Sequence, residues 1–109
     1  MNEQEFAEKA DAMLAHIESA LETLQNNGGP DFDFELKPGG VLEIEFDNGS
    51  KVIVNRHGAA REIWLAARSG GYHFRYDNGQ WLDTRNGEGL LVSLARFMGE
   101  QSGEAVSLG

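Results

Sequence analysis

The spacing of apolar residues changes from a helical period to a period of two between residues 24 and 31. Before this point, residues 3–24 contain no glycine or proline, and their apolar side chains recur three or four positions apart, which predicts a long amphipathic helix. These apolar residues are Phe6, Ala10, Met13, Leu14, Ile17, Leu21 and Leu24. Residues 26–30 (NNGGP) then stop the helix and turn the chain.

Downstream of this turn, apolar and polar residues alternate in short segments, as in strands with one buried side and one solvent-facing side. Two pairs, Asn48-Gly49 and Asn78-Gly79, are hairpin signals because both turn positions favour positive φ. Helical spacing returns over residues 88–98. The order predicts one α+β domain over residues 1–109, a two-layer sandwich with two helices on one face of an antiparallel sheet of about six strands.

Charge is distributed unevenly along the chain and limits the classes of partner. The net charge is −9, and residues 1–50 hold 12 acidic residues against Lys9 and Lys37, whereas residues 51–109 are close to neutral. An acidic surface repels phosphate groups, which argues against nucleic acid and anionic membranes and favours cations or basic proteins. Because there are no cysteines, a metal would need oxygen or histidine ligands. The first residues do not resemble an export leader and no run is apolar enough to cross a membrane, so we expect a cytoplasmic protein.

Acidic residues gather on one arc of the predicted helix and on one side of the strand that follows. We call this set the acidic ridge: Glu8, Asp11, Glu18 and Glu22 on the helix, and Asp31, Asp33 and Glu35 on the strand. If the helix and the strand are neighbours, the ridge offers carboxylate oxygens, the ligands that hard cations prefer. A solvated polar face is the alternative, although such a face would usually mix both signs of charge. Neither a calcium-loop pattern nor H-E-x-x-H is present, which predicts weak metal binding at several surface sites.

Trp64 is the second candidate feature. Ile63 and Leu65 share one side of a predicted strand, so Trp64 points to the other side and faces solvent if the helices cover Ile63 and Leu65. An exposed tryptophan on a sheet often anchors a protein partner, and Asn55 and Arg56, at the end of the preceding strand, would flank it. The alternative is an indole covered by Tyr72 or by a loop. No nucleophile motif or catalytic acid-base pair stands out, so the sequence predicts a protein that is not an enzyme.

Three segments of the chain carry a family resemblance: residues 40–56 (GVLEIEFDNGSKVIVNR), residues 62–74 (EIWLAARSGGYHF) and the less specific residues 101–107 (QSGEAVS). They resemble the frataxin family, and its bacterial members in particular. The resemblance keeps its order along nearly the whole chain and implies the same sandwich of two helices on an antiparallel sheet. It also implies a non-enzymatic protein that binds ferrous or ferric iron weakly at its surface.

By position, the resemblance implies two sites. Iron would be held by Glu3, Asp11, Glu18, Glu22, Asp31, Asp33 and Glu35. The sheet surface around Asn55, Trp64 and Arg68 would meet the partners of this family, the cysteine desulfurase and the iron-sulfur scaffold protein. The implied function is regulation of iron-sulfur cluster assembly, as an iron donor or an iron sensor, by a protein that is monomeric without iron.

The chain departs from the family pattern at several positions. Ala7, Ser19 and Thr23 stand where some bacterial members have a histidine and further acids, which implies fewer metal ligands. Residues 57–59 (HGA) replace a familiar glutamine and proline, and residues 90–91 (LL) replace an aromatic pair in the last helix.

Two other functions stay open from the residues themselves. The first is an acidic protein-interaction module whose metal binding is incidental. The second, an iron-oxidising enzyme, is least favoured because a di-iron centre needs Glu-x-x-His ligands on facing helices, and the sequence has none.

Overall fold

A computed structural model describes residues 1–108, and in this part of the chain it contains two helices and six strands. The elements are α1 (Glu3–Asn26), β1 (Phe32–Lys37), β2 (Val41–Phe46), β3 (Lys51–His57), β4 (Glu62–Ala67), β5 (Gly70–Asp77), β6 (Gln80–Asp83) and α2 (Leu90–Ser102). The strands lie in the sheet in chain order, and each neighbouring pair is antiparallel. The predicted α+β sandwich is confirmed. Within residues 1–108, neither helix combines the length and the apolar character that a membrane crossing requires.

Helix α1 begins with a capping box. The side chain of Asn2 accepts a hydrogen bond from the backbone N–H of Glu5 (2.8 Å), and the Glu5 carboxylate accepts one from the backbone N–H of Asn2 (3.4 Å). The helix ends at Asn26, two residues beyond the predicted end, before Gly28 turns the chain with a φ of 75°. Five of the seven apolar residues predicted to form its stripe are buried, and Met13 and Leu24 are half-buried. The five buried residues are Phe6, Ala10, Leu14, Ile17 and Leu21.

The core lies between the two helices and one face of the sheet. Side chains at alternate strand positions, such as Leu42, Val54, Leu65 and Phe74, are fully buried in a single cluster with the helix residues. The intervening side chains project to the opposite side of the sheet, which we call the open face because neither helix packs on it. The position of a residue in its strand therefore decides whether it stabilises the core or meets solvent.

The two Asn-Gly turns differ in conformation. Asn78 and Gly79 both have positive φ (51° and 85°) and join β5 to β6 directly, as predicted for a two-residue hairpin. In the β2–β3 hairpin only Gly49 has positive φ (86°), and the loop has four residues. The expectation of positive φ at both positions is wrong for Asn48. In this longer loop the side chain of Asn48 donates a hydrogen bond to the carbonyl of Gln101 in α2 (2.7 Å).

Helix α2 continues past residue 98, its predicted end, because its last turn contacts two hairpins. The buried side chain of Gln101 accepts a hydrogen bond from the backbone N–H of Arg68 (2.9 Å) and donates to the hydroxyl of Ser50 and the carbonyl of Lys51 (3.1 Å each). Gly103, with a φ of 77°, then ends the helix. One amide side chain thus holds α2 to both the β2–β3 and the β4–β5 turns.

Replacing Gln101 by alanine should lower the free energy of unfolding by about 1–3 kcal/mol, because part-buried backbone groups of Arg68 and Lys51 would lose their partner. Urea denaturation measures this change. Glu104→Ala, at an exposed position just beyond the helix, is the control and should have an effect of less than about 0.5 kcal/mol. Equal stability of the two variants would contradict the role assigned to Gln101.

Candidate functional site

The helical part of the acidic ridge lies on the side of α1 turned away from the core. Glu8, Asp11 and Glu22 are exposed and Glu18 is half-buried, and among residues 1–108 no basic side chain forms an ion pair with Glu8, Glu18 or Glu22. Glu3 is also exposed, in the first turn of the helix. These carboxylates remain available to a cation or to a basic partner.

Asp11 differs from the other ridge residues because an arginine of β3 neutralises it. The Nη1 of Arg56 lies 2.7 Å from Oδ1 and 2.8 Å from Oδ2 of Asp11. The arginine side chain reaches the helix by crossing Gly40, where an added Cβ would lie only 2.7 Å from its Cδ. Asp11 is therefore engaged, and the site implied for it by the frataxin resemblance contains a competing cation.

The acids of β1 project from the open face. Phe32 is buried under α1, so Asp33 and Glu35 point the other way. In the β1–β2 register Asp33 lies opposite Glu45, and Glu35 lies opposite Glu43. Four carboxylates thus stand in two facing pairs on the first two strands.

One of these four carboxylates is neutralised locally. Glu43 receives hydrogen bonds from Lys37 (2.9 Å) and Lys51 (3.1 Å), and these bonds hold its pKa below the usual range. In the described residues Asp33, Glu35 and Glu45 form no ion pair. Glu43 and Glu45 were not predicted to belong to the ridge. The signal that could have identified them is that they alternate with apolar residues in the strand that follows Asp33 and Glu35 after a short loop.

The two parts of the ridge are neighbours, but their side chains do not converge. Gln25 of α1 donates to the carbonyl of Phe32 in β1 (2.8 Å), which ties the two elements together. Asp31 lies between them, and its carbonyl accepts from the backbone N–H of Asp47. Nevertheless, the helix acids and the strand acids lie on opposite sides of the sheet edge, and no three Asp, Glu or His side chains within residues 1–108 are grouped to hold one metal ion. The acidic ridge is a charged surface that wraps around the edge of the sheet.

Trp64 lies on the open face, as the alternation predicts, but its indole is not bare. His57 of β3 stacks on one side with ring centroids 3.7 Å apart and planes at 12°, and His73 of β5 stacks on the other at 4.5 Å and 9°. Tyr72, considered as a cover in the sequence analysis, lies on the helix side and packs against Phe97. The half-buried indole is therefore covered by imidazoles, not by Tyr72 or a loop.

The Glu62 carboxylate contacts the polar edge of the Trp64 indole and the neighbouring side chains. Its side chain is 8% exposed and accepts hydrogen bonds from Nε1 of Trp64 (2.9 Å) and Nη2 of Arg75 (2.7 Å), and Nδ1 of His73 lies 3.5 Å away. Burial opposes ionisation of Glu62, but the hydrogen bonds from Trp64 and Arg75 and the charge of Arg75 outweigh it, so that its pKa lies below the usual range. The cluster of His57, Glu62, His73 and Arg75 around Trp64 was not predicted from the sequence.

Of the other two residues implied in partner binding, Asn55 lies beside Trp64 and Arg68 does not. Asn55 is the cross-strand neighbour of Trp64 in the β3–β4 register. Arg68 lies beyond the end of β4, where its backbone is bonded to Gln101, and it lines a hollow with Phe97 of α2. The open face thus presents Asn55 and Trp64 together, whereas Arg68 lies beyond the end of β4. Arg56, also expected beside Trp64, lies on the helix side of the sheet, where it pairs with Asp11.

Replacing Glu62 by glutamine should lower the free energy of unfolding at pH 7 by about 1–3 kcal/mol, because a charged acceptor for Arg75 and Trp64 is lost. Since the pKa of Glu62 is lower in the folded chain than in the unfolded chain, its contribution is present above about pH 4.5 and is lost as pH falls through the folded pKa. Urea denaturation at pH 7, 5 and 3.5 should therefore show the gap between the wild type and Glu62→Gln closing at acid pH. The exposed Glu104→Gln variant should follow the wild type throughout, and a Glu62→Gln gap independent of pH would contradict the assignment.

Comparison with known proteins gives a consistent result for the whole chain. The frataxin-like domain model matches residues 1–104. The iron-sulfur cluster assembly protein CyaY of Dechloromonas aromatica is 51% identical over 108 residues, which cover 99% of this chain and 99% of that protein. The protein of the same name from Paraburkholderia phymatum is 44% identical over 108 residues, with 99% and 98% covered.

Solved structures agree with these sequence matches. The frataxin of Psychromonas ingrahamii superposes with a TM-score of 0.87 at 36% identity and covers 100% of this chain and 99% of its own. A trimeric frataxin of the yeast Saccharomyces cerevisiae, complexed with ferrous iron, has a TM-score of 0.75 at 30% identity, with 88% and 87% covered. The resemblance seen in the sequence is confirmed, and the chain belongs to the frataxin family, a family of non-enzymatic proteins.

Proposed function

We propose that this chain binds iron weakly through the acidic ridge and regulates iron-sulfur cluster assembly in the cytoplasm by docking on the cysteine desulfurase and the scaffold protein. The observation that carries the proposal is the register that sets Asp33 against Glu45, two exposed carboxylates that form no ion pair within residues 1–108. Like charges held opposite each other destabilise a sheet, and a bound cation removes that repulsion. The names of the relatives, which refer to iron-sulfur cluster assembly, and the yeast frataxin solved with ferrous iron support the same function.

The spacing of the carboxylates sets the kind of iron binding that is expected. Asp33 and Glu45 supply a pair of carboxylates, and Glu18 and Glu22 supply another pair one helical turn apart. A pair leaves most of the coordination shell of a hard cation to water, so that each site is weak and several sites have similar affinity. The chain is monomeric without iron in this proposal, and delivery of iron and sensing of iron would both use this surface.

In this proposal, docking uses both the acidic ridge and the open face. The acidic ridge attracts a basic patch on the desulfurase, so that binding should weaken as ionic strength rises. The open face around Asn55 and Trp64 adds a short-range contact with the partner, in which a partly exposed aromatic side chain is a suitable anchor.

A second candidate function is an acidic protein-interaction module whose metal binding is incidental. It is favoured by the finding that no three potential ligands within residues 1–108 are grouped around one point. Partner capture in the presence of a chelator separates the two functions. Capture that requires iron supports the iron-dependent regulator, whereas capture of equal strength with and without iron supports the module.

Neutralising part of the ridge tests its role. A variant with Glu18→Gln, Glu22→Gln, Asp31→Asn and Asp33→Asn should lose most ferrous iron binding in anaerobic titration calorimetry, because both carboxylate pairs are broken. Its affinity for the purified desulfurase should also fall, and the difference from the wild type should shrink at high salt.

The control is a variant with Asp77→Asn, Glu100→Gln and Glu104→Gln, which removes three negative charges at exposed positions outside the ridge, against four in the ridge variant. We expect it to retain iron binding and most of its affinity for the desulfurase. Unchanged binding of both iron and desulfurase by the ridge variant would reject the ridge as a functional surface.

Replacing Arg56 by glutamine should strengthen iron binding by about two- to fivefold, because it releases the Asp11 carboxylate on the ridge and removes a competing cation. Anaerobic titration with ferrous iron measures the change. Arg96→Gln, which removes the same charge from an ion pair on α2, is the control and should bind iron as the wild type does. If the gain depends on Asp11, the Asp11→Asn/Arg56→Gln double variant should lose most of it, and an equal gain in Arg96→Gln would contradict the local explanation.

A further inference from the structure

The indole of Trp64 is held between two imidazoles that come from different strands. His57 ends β3 and His73 lies in β5, and β4 carries Trp64 between them. Both rings are nearly parallel to the indole, at 12° and 9°, and Nε1 of the indole is bonded to Glu62. Both faces and the polar edge of the side chain are therefore occupied, and the remaining carbon edge is the part that a partner can reach.

The two imidazoles are held in different ways. Nδ1 of His57 accepts a hydrogen bond from the backbone N–H of Ala60 (3.3 Å) in the β3–β4 turn. A nitrogen that accepts must carry a lone pair, so this contact is lost if His57 becomes doubly protonated. The turn therefore ties the ring of His57 to the backbone.

His73 lies among a carboxylate, an aromatic face and two arginines. Its Nδ1 lies 3.5 Å from Oε1 of Glu62, and its ring lies over the face of Trp64, where a cation is attracted by the π-system. Two positive groups face it: Arg75 on its own strand and Arg85 beyond β6, which lines a hollow with His73. The charge of Arg75 is paired with Glu62, and Arg85 donates to the carbonyl of Gly71, so that both are partly balanced.

We propose that His57 and His73 are positioning residues that fix the Trp64 indole for docking, with His57 tied to the backbone of the β3–β4 turn and His73 as the half of the clamp whose protonation tightens it. The side chain of His73 is 49% exposed, so it exchanges protons with solvent, and histidine changes charge between about pH 5 and 8. A fixed indole has less freedom to lose on binding. The inference rests on the proposed docking role of the open face, and it predicts stronger docking as pH falls through this range.

The clamp itself can be tested in the isolated chain by NMR. The chain has two indole N–H signals, and Trp64→Phe identifies that of Trp64, while Trp81, in the core, reports on the integrity of the fold. Between pH 5 and 8.5 the Trp64 signal should move with pH in the wild type, in His57→Gln and in His16→Gln, which replaces an exposed histidine of α1. Most of this movement should be lost in His73→Gln. His57→Gln and His73→Gln should both increase the mobility of the indole, with the Trp81 signal unchanged. A Trp64 signal that does not move with pH in the wild type, or that titrates equally in His73→Gln, would overturn the proposal.

Docking is tested separately by calorimetry with the purified desulfurase and with the purified scaffold at pH 6 and pH 8. The wild type should bind its partner more tightly at pH 6 than at pH 8. This ratio of affinities should be about two- to fivefold larger for the wild type than for His73→Gln, the range of an exposed cation–π contact. Equal ratios for the two chains, with Trp64→Ala weakening binding, would reject the clamp and leave the docking face intact. Full binding by Trp64→Ala to both partners would instead reject the docking role of this face, and with it the functional part of the inference.

Discussion

Only one face of the six-stranded sheet is covered by helices, and this determines where the acids of β1 and Trp64 lie. In an antiparallel sheet successive side chains point to opposite faces, and two helices are enough to cover only one of them. Leu42, Val54, Leu65 and Phe74 take the covered face, so their neighbours in sequence must take the open one. The open face is thus a consequence of how the core is formed, and the acids of β1 and Trp64 reach solvent for the same reason.

This arrangement also explains why the anionic surface is extended. The helix acids lie outside α1 and the strand acids lie on the other side of the sheet, so the edge strand β1 separates them. Carboxylates that meet only in pairs keep their mutual repulsion. The cations that approach them engage single carboxylates: Lys37 and Lys51 both contact Glu43, and Arg56 contacts Asp11. The result is a surface with a strong field and no enclosed site, which suits a hydrated cation or a basic protein better than a tightly bound metal.

Much of this structure was accessible from the sequence, and the parts that were not have a common cause. Periodicity gave α1, the hairpins and the buried side of each strand, because these depend on residues close together in the chain. The pairing of Asp11 with Arg56 spans 45 residues and depends on the path of an arginine across Gly40, which no local pattern reveals. The covering of Trp64 likewise required the β3–β4–β5 register. The position of Arg68 also depends on Gln101, 33 residues later, which accepts a hydrogen bond from its backbone N–H.

The separation between the two surfaces determines how far they can influence each other. With strands about 4.8 Å apart, β1 lies about 14 Å from β4, which exceeds the Debye length of about 10 Å at 0.1 M salt. The charges of Asp33 and Glu35 are therefore largely screened from Trp64, and the neutralised Glu43 lies between them. A cation bound at the edge strand would alter the potential at Trp64 only modestly. In the proposed function, coupling between bound iron and a docked protein therefore depends mainly on a partner large enough to contact both surfaces at once.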